Sequence, residues 1–268
     1  MTFGTSENQI PHPTIASKRL RILAAALVIG TMFLDTAFIE LNWLRPPTIR
    51  PSDANFINNP AGNGEVLVRL AEEKGKTCEL IFIGASNVEY WGKEGREVWD
   101  KYYAPRHAFN FGVAGDKTED VLWRLDHMNL KAISPKVAVI FIGLNNFADT
   151  PRDTVAGVKA VMKKTASVFP GVKLLVVSIT PSQRATQTVL RANEMLRSLA
   201  DNQSVFYIDL YSRMPREGDN WKGLKPDHLH FTAEGYEMWA EEMEPTLQKI
   251  LPDSSVSMTN MAPGNVLR

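Results

Sequence analysis

Leu80-Ile81-Phe82-Ile83-Gly84-Ala85-Ser86-Asn87 is the stretch on which the fold turns. Four large apolar residues in a row, stopping at a turn of small residues, describe a strand buried on both faces rather than one that alternates between core and water. Strands of that kind belong to parallel sheets, and open parallel sheets keep their chemistry at the carboxyl ends of the strands. This strand delivers one hydroxyl there, Ser86. A lone serine is only a candidate nucleophile, because its hydroxyl needs a base, a group that orients the base, and donors for the oxyanion that its attack creates.

Downstream of Ser86 the pattern repeats. Helical spacing over Glu94 to Tyr103, Asp116 to Met128, Arg152 to Phe169, Arg184 to Ala200 and Ala233 to Leu251 alternates with apolar runs over Ala108 to Val113, Lys136 to Ile142, Val172 to Ile179 and Val205 to Leu210. A further helix, Glu65 to Glu73, precedes the first strand. Continuous apolar strands separated by amphipathic helices predict an α/β fold: a three-layer α/β/α sandwich around a five-stranded parallel sheet, flavodoxin-like in its layering. Tyr236 and Trp239 fall on the buried side of the last helix, and Trp91 and Tyr90, just past the serine, divide evenly between packing and pocket lining. His107 and His127, near helix ends, read as packing or dipole contacts.

The predicted domain spans 65–252. Residues 46–64 carry Pro46, Pro47, Pro51, Pro60, Gly62 and Gly64 among Asn and Ser, a linker composition. In segment 1–45, Lys18-Arg19-Leu20-Arg21 precede an apolar run from Ile22 to Leu34. That layout matches a signal peptide or, since no good cleavage site follows, a membrane anchor that leaves the domain exported to the periplasm or exterior. An amphipathic helix on a cytosolic protein is the alternative. The tail 253–268, rich in Ser, Asn, Pro and Gly, reads as disordered.

Thirty basic and thirty acidic residues balance over 268 residues without long runs of either sign, which argues against nucleic acid and for a small-molecule or glycan partner. Cys78 is the single cysteine, so no internal disulfide or multi-cysteine metal site exists, and it reads as a packed thiol. Neither metal-ligand spacing nor a phosphate loop occurs, and no cofactor is expected.

The turns after the other strands share a rim with Ser86. Asn110-Phe111-Gly112-Val113-Ala114-Gly115-Asp116 offers unshielded glycine N–H donors, and Asp116 there reads as a helix N-cap paired with Glu119. Gly143-Leu144-Asn145-Asn146 offers neutral side-chain amides. Asp227-His228-Leu229-His230 places a carboxylate near two histidines, either of which suits the base by composition. Four strand-end turns in complementary roles argue for one site more strongly than any turn alone.

These motifs, with Val121-Leu122-Trp123-Arg124-Leu125, Pro135-Lys136-Val137 and Phe231-Thr232 leading into Gly235-Tyr236, resemble the SGNH or GDSL hydrolase superfamily. The likeness is to its branch of platelet-activating-factor acetylhydrolase catalytic subunits and bacterial carbohydrate acetylesterases. The resemblance implies Ser86 as nucleophile, His230 as base, Asp227 as its orienter, and an oxyanion hole made by the N–H groups of Ser86 and Gly115 with the Asn145 amide. It further implies a serine esterase removing a short acyl group, most simply acetyl, from a carbohydrate or lipid, and a homodimer like the related subunits. An acyltransferase acting on an envelope glycan and a non-catalytic glycan-binding derivative are the alternatives. The chain departs from the family's Gly-Asp-Ser at one position, Ala85, where the usual aspartate supports the nucleophile turn.

Overall fold

In the computed structural model, which describes residues 46–252 apart from Gly75 and Arg184, the five apolar runs form one parallel sheet. Its strands are β1 (Leu80–Gly84), β2 (Ala108–Gly112), β3 (Val137–Phe141), β4 (Lys173–Val177) and β5 (Val205–Ile208), in the order β2-β1-β3-β4-β5. Successive side chains on a strand point to opposite faces, and the two cores divide accordingly. Ile81, Ile83, Phe109, Phe111, Ala138, Ile140, Leu174 and Val176 face one side. There they meet α2 (Pro60–Glu72), α5 (Thr118–His127), α6 (Pro151–Val168) and α7 (Thr186–Arg197), each through its apolar stripe. Leu80, Phe82, Val137, Val139, Phe141, Leu175 and Val177 face the other, against α4 (Arg96–Tyr102) and α9 (Ala233–Ile250). Trp91, Tyr236 and Trp239 are fully buried in this second core, where Trp91 lies 4.4 Å from Tyr236 and 5.0 Å from Trp239 between ring centroids. The α/β/α sandwich with five parallel strands is therefore the fold observed.

Shorter pieces bear on the site: α1 (Ala54–Asn58), α3 (Ser86–Glu89), a 3-10 turn Leu144–Asn146 that carries Asn145, and α8 (Leu210–Arg213), with a small antiparallel hairpin of β6 (Arg216–Glu217) and β7 (Asn220–Trp221) before the last helix. The strand order reverses direction of growth between β1 and β3, so a crevice opens at the carboxyl ends of those two strands.

The linker expected over 46–64 is corrected. Pro47–Ile49 forms a 3-10 turn, α1 follows, and α2 begins at Pro60 rather than Glu65. Proline in the first turn of a helix loses no bond, since its missing N–H would be unsatisfied there. Asn59 caps α2 by accepting the Gly62 N–H at 3.1 Å, so the Pro, Asn and Gly content marks a helix start. Tertiary bonds hold the segment: Ser52 N–H donates to Glu119 O at 3.0 Å and Thr118 Oγ1 to Thr48 O at 2.9 Å. The signal peptide or anchor expected in 1–45 and the tail 253–268 lie outside the described residues. Among the described residues no helix is long and apolar enough to cross a membrane.

Candidate active site

Ser86 is the first residue of α3, one helical turn set directly on the end of β1, with Ala85 at the N-cap position. As the first helical residue it has no carbonyl four residues back to receive its N–H. The turn lies so close to β2 that a Cβ built on Gly112 would meet the Glu89 nitrogen at 2.3 Å, which explains why β2 ends in glycine. The Asn110 amide then donates to Val88 O at 2.8 Å and fastens α3 to the β2 edge.

The turn ahead of α9 brings His230, the residue expected as base. His230 Nε2 lies 3.0 Å from Ser86 Oγ, and its Nδ1 lies 2.7 Å from Asp227 Oδ2. The other carboxylate oxygen, Oδ1, accepts the N–H groups of Leu229 and His230, both at 3.0 Å. Partial burial pushes the Asp227 carboxyl up. The His230 N–H, the imidazole and the Leu229 N–H outweigh it and leave the group below the ordinary carboxylate range. An ionised Asp227 fixes the tautomer in which Nε2 accepts a proton. His228, the other histidine of the turn, faces away into structure: at φ 57° its Nδ1 lies 2.9 Å from Asn220 Oδ1. The Asn220 amide donates to Leu224 O and Lys225 O, so β7 holds the loop that carries the base.

The oxyanion candidates come from the turns after β2 and β3. Gly115 sits at φ 88°, a left-handed conformation that excludes most side chains. Its N–H has no hydrogen-bond acceptor among the described residues. Asn145 Nδ2 donates one hydrogen to Asp116 O at 2.9 Å, which orients the amide and leaves its second N–H. Asn145 and Ser86 line one cavity of about 20 Å³ with Phe141, Ile142, Leu144 and Leu229. Gly115 is not among the residues lining that cavity; it joins the site through the Asn145 bond to its neighbour Asp116.

Asp116 is not the N-cap that its position before α5 suggests. Lys117 takes that position, and the Asp120 carboxylate accepts the Lys117 N–H at 2.9 Å. Arg124 reaches back along α5 to the fully buried Asp116, bonding through Nε at 2.9 Å and again through Nη2, while its Nη1 donates to Phe111 O at 2.9 Å. Burial pushes the Asp116 carboxyl up to about 6, with Arg124 and the Asn55 amide holding it back from a larger rise. The guanidinium thus ties both ends of the 111–116 turn together.

Sequence reasoning also missed Asn87. Buried beside the nucleophile, its amide donates to Leu229 O at 3.1 Å and its oxygen accepts the Phe231 N–H at 3.3 Å, gripping both neighbours of His230. The available signal was a polar residue one step inside a turn that delivers a nucleophile to an apolar core. Glu89, on the far end of the same turn, accepts the Ala114 N–H at 2.7 Å. Of the two aromatics just past the serine, Trp91 is core, whereas Tyr90 lies 5.2 Å from the His230 ring between centroids. His127 stacks on Trp123, and His107 closes a 3-10 turn at φ 48°. Burial pushes the Cys78 thiol up to about 12, consistent with a packed side chain. Among the described residues no group of three or more His, Cys, Asp or Glu could hold a metal.

A serine hydroxyl bonded to an imidazole, itself bonded to a carboxylate, on the rim of a parallel sheet with amide donors beside it, defines a serine hydrolase of the α/β class. The comparisons agree: the model of the GDSL-like Lipase/Acylhydrolase family matches residues 82–238, and the chain belongs to that family. The platelet-activating factor acetylhydrolase IB subunit alpha2 of Bos taurus is 32% identical over 187 residues, covering 68% of this chain and 81% of the relative. The alpha1 subunit from the same organism is 29% identical over 188 residues, covering 68% and 80%. A GDSL-like lipase from Bacteroides thetaiotaomicron shares the fold at a TM-score of 0.57 with 17% identity, over 75% of this chain and 100% of that one. The protein is an ester-cleaving acylhydrolase.

Proposed function

We propose that the enzyme removes a short acyl group, acetyl in the simplest case, from a carbohydrate or lipid ester. The observation that carries the reading is the cavity beside Ser86. At about 20 Å³ it is little larger than the roughly 10–15 Å³ that admits one water. Its apolar walls, Phe141, Ile142, Leu144 and Leu229, beside the polar Ser86, Asn87 and Asn145, suit a methyl group. The apolar segment after Lys18-Arg19-Leu20-Arg21 supports a substrate met outside the cytoplasm.

In this reading Ser86 Oγ attacks the ester carbonyl carbon while His230 Nε2 takes its proton. The carbonyl oxygen becomes an oxyanion that accepts hydrogen bonds from Ser86 N–H, Gly115 N–H and the Asn145 amide. The tetrahedral intermediate collapses as the bond to the alcohol oxygen breaks, and His230 returns its proton to that oxygen. Water then attacks the acyl-enzyme by the same path and releases the acid.

The test compares p-nitrophenyl esters of increasing chain length. Acetate should be cleaved with the highest kcat/KM, with a steep fall by butyrate, and Ser86→Ala should abolish the reaction. Equal rates for acetate and octanoate would overturn the short-acyl reading, and hydrolysis surviving in Ser86→Ala would overturn the assignment of the nucleophile.

A further inference from the structure

The oxyanion donor at Gly115 is held from an unexpected direction. Its N–H belongs to the same planar peptide unit as the Ala114 carbonyl, and in a trans peptide the two point to opposite sides. Whatever grips the Ala114 oxygen therefore aims the Gly115 N–H. Two side-chain amides grip it: Asn55 Nδ2 and Asn59 Nδ2 both donate to Ala114 O at 3.1 Å.

The two asparagines are themselves anchored. Asn55 Nδ2 also donates to Asp116 Oδ1 at 2.5 Å, bridging both flanks of Gly115, and the Asn55 main-chain N–H donates to Asp120 Oδ1 at 3.2 Å. Asn59 is fixed as the α2 cap through its oxygen, which accepts the Gly62 N–H. The Asn55 oxygen packs against Gly115 itself, 3.1 Å from where a Cβ would stand. From the opposite side Glu89 accepts the Ala114 N–H. The peptide that supplies the oxyanion donor is thus pinned at its oxygen by two donors, and the preceding peptide at its nitrogen by one acceptor.

We infer that Asn55 and Asn59 are positioning residues for catalysis, two amides that grip the Ala114 carbonyl and thereby aim the Gly115 N–H at the oxyanion. They lie on α1 and at the cap of α2, ahead of the stretch 82–238 that matches the family model. The segment between the N-terminal region and the sheet is in this sense part of the active site. Hydrogen bonds accepted by a carbonyl also polarise its peptide and strengthen the N–H as a donor, so the grip acts on donor strength as well as direction.

The inference rests on Gly115 serving as an oxyanion donor, and the experiment separates the two ideas. Asn55→Ala, Asn59→Ala, the double variant and Asn55→Asp are compared with the unmodified enzyme for p-nitrophenyl acetate hydrolysis, for the rate of Ser86 labelling by a fluorophosphonate, and for melting temperature. Each alanine variant should lose about tenfold in kcat and the double variant about a hundredfold, the scale expected of small misplacements in a site. KM should hold, and labelling should slow in parallel, because the phosphonylation transition state also places charge on an oxygen.

Asn55→Asp is the decisive comparison. It keeps the shape of asparagine but sets a carboxylate against the Ala114 oxygen and Asp116, so it should be slower than Asn55→Ala. A filler of space would give the reverse ranking. Wild-type labelling rates in the double variant, or Asn55→Asp faster than Asn55→Ala, would overturn the inference. If the unmodified enzyme is labelled but inert toward acetate, the short-acyl reading fails while the labelling rates still decide the role of the asparagines. If Asn145→Ala slows labelling but Gly115→Ala and the asparagine variants do not, Gly115 is no donor and the inference fails with it.

Discussion

Replacing Asn87 with alanine separates the base from the nucleophile without touching either. The buried amide makes two bonds, to Leu229 O at 3.1 Å and from Phe231 N–H at 3.3 Å, on either side of His230. Alanine leaves one main-chain acceptor and one donor without partners, each costing about 1–3 kcal/mol when it stays buried. With some relaxation the sum is roughly 2–4 kcal/mol, which lowers the melting temperature of a domain of this size by about 5–15 °C. The kinetic effect is separate. With the Asn87 bonds gone, the 229–231 chain is left with the Asp227 carboxylate and its pairing with Leu224 and Lys225, so Nε2 drifts from its 3.0 Å contact with Ser86 Oγ, and a displacement of about 1 Å costs on the order of a hundredfold in kcat. Asn87→Asp sharpens the test, because it keeps the acceptor for Phe231 N–H and opposes Leu229 O with a carboxylate. Thermal melts and p-nitrophenyl acetate kinetics, measured well below the melting temperature, read both effects. If Asn87→Ala melts within about 2 °C of the parent, or turns over at the parent rate, the tether does not hold the base, and the reasoning is refuted.

Two further substitutions test other parts of the site. Gly112→Ala should abolish activity and depress the melting temperature, since its methyl group would meet the Glu89 nitrogen at 2.3 Å and only backbone movement of α3 can relieve the clash; a soluble variant with parental kinetics would disprove the close approach. Asp227→Asn should lower kcat by several orders of magnitude by releasing the imidazole tautomer. It should also change acid stability in a defined direction. The carboxyl lies below its unfolded range in the folded state, so its stabilisation is present above the unfolded value of about 3.9 and is lost as pH falls through the lower folded value. The parent should therefore exceed the variant in stability at pH 6 and converge on it toward pH 2, as denaturant melts across that range will read; a gap that widens in acid contradicts the sign.

The sheet was legible because its strands are unbroken apolar runs, and every one of the five expected strands forms within a residue or two of the expected bounds. That Ser86, Asp227 and a histidine would meet was legible from four strand-end turns in complementary roles, and the resemblance selected His230 over His228; the structure places His230 Nε2 3.0 Å from Ser86 Oγ and its Nδ1 2.7 Å from Asp227 Oδ2. The features that stayed hidden depend on long-range contact. Asn87 reads as turn filler until residues 142 and 144 positions away close on it. Asp116 has the local signature of a cap, and only the packing of α5 reveals that Arg124 draws its carboxylate inward. The 46–64 segment has a linker's composition because helix starts and linkers both use Pro, Asn and Gly, and composition alone does not tell a cap from a coil.

Ala85 is the position where the chain leaves its family's pattern, and the structure changes what that departure means. An aspartate before the serine would brace the nucleophile turn from its N-terminal side; here Ala85 offers no side-chain hydrogen bond and packs against the apolar core instead. The turn is braced from the other end. Asn87 reaches the base loop, Glu89 reaches the oxyanion loop, and Asn110 holds the carbonyl oxygens of Val88 and Glu89. All of these bonds run to main-chain groups, so each fixes a backbone position rather than a side-chain rotamer. Four residues, Ser86 to Glu89, thereby connect the serine, the loop that carries His230 and the turn that carries Gly115, and Asn55 and Asn59 grip that last turn at the Ala114 oxygen. An alanine before the serine is compatible with an ordered turn because the Ala85 main-chain oxygen still accepts the N–H groups of Val88 at 3.0 Å and Glu89 at 2.9 Å, while the side-chain bracing comes from residues on the C-terminal side of Ser86.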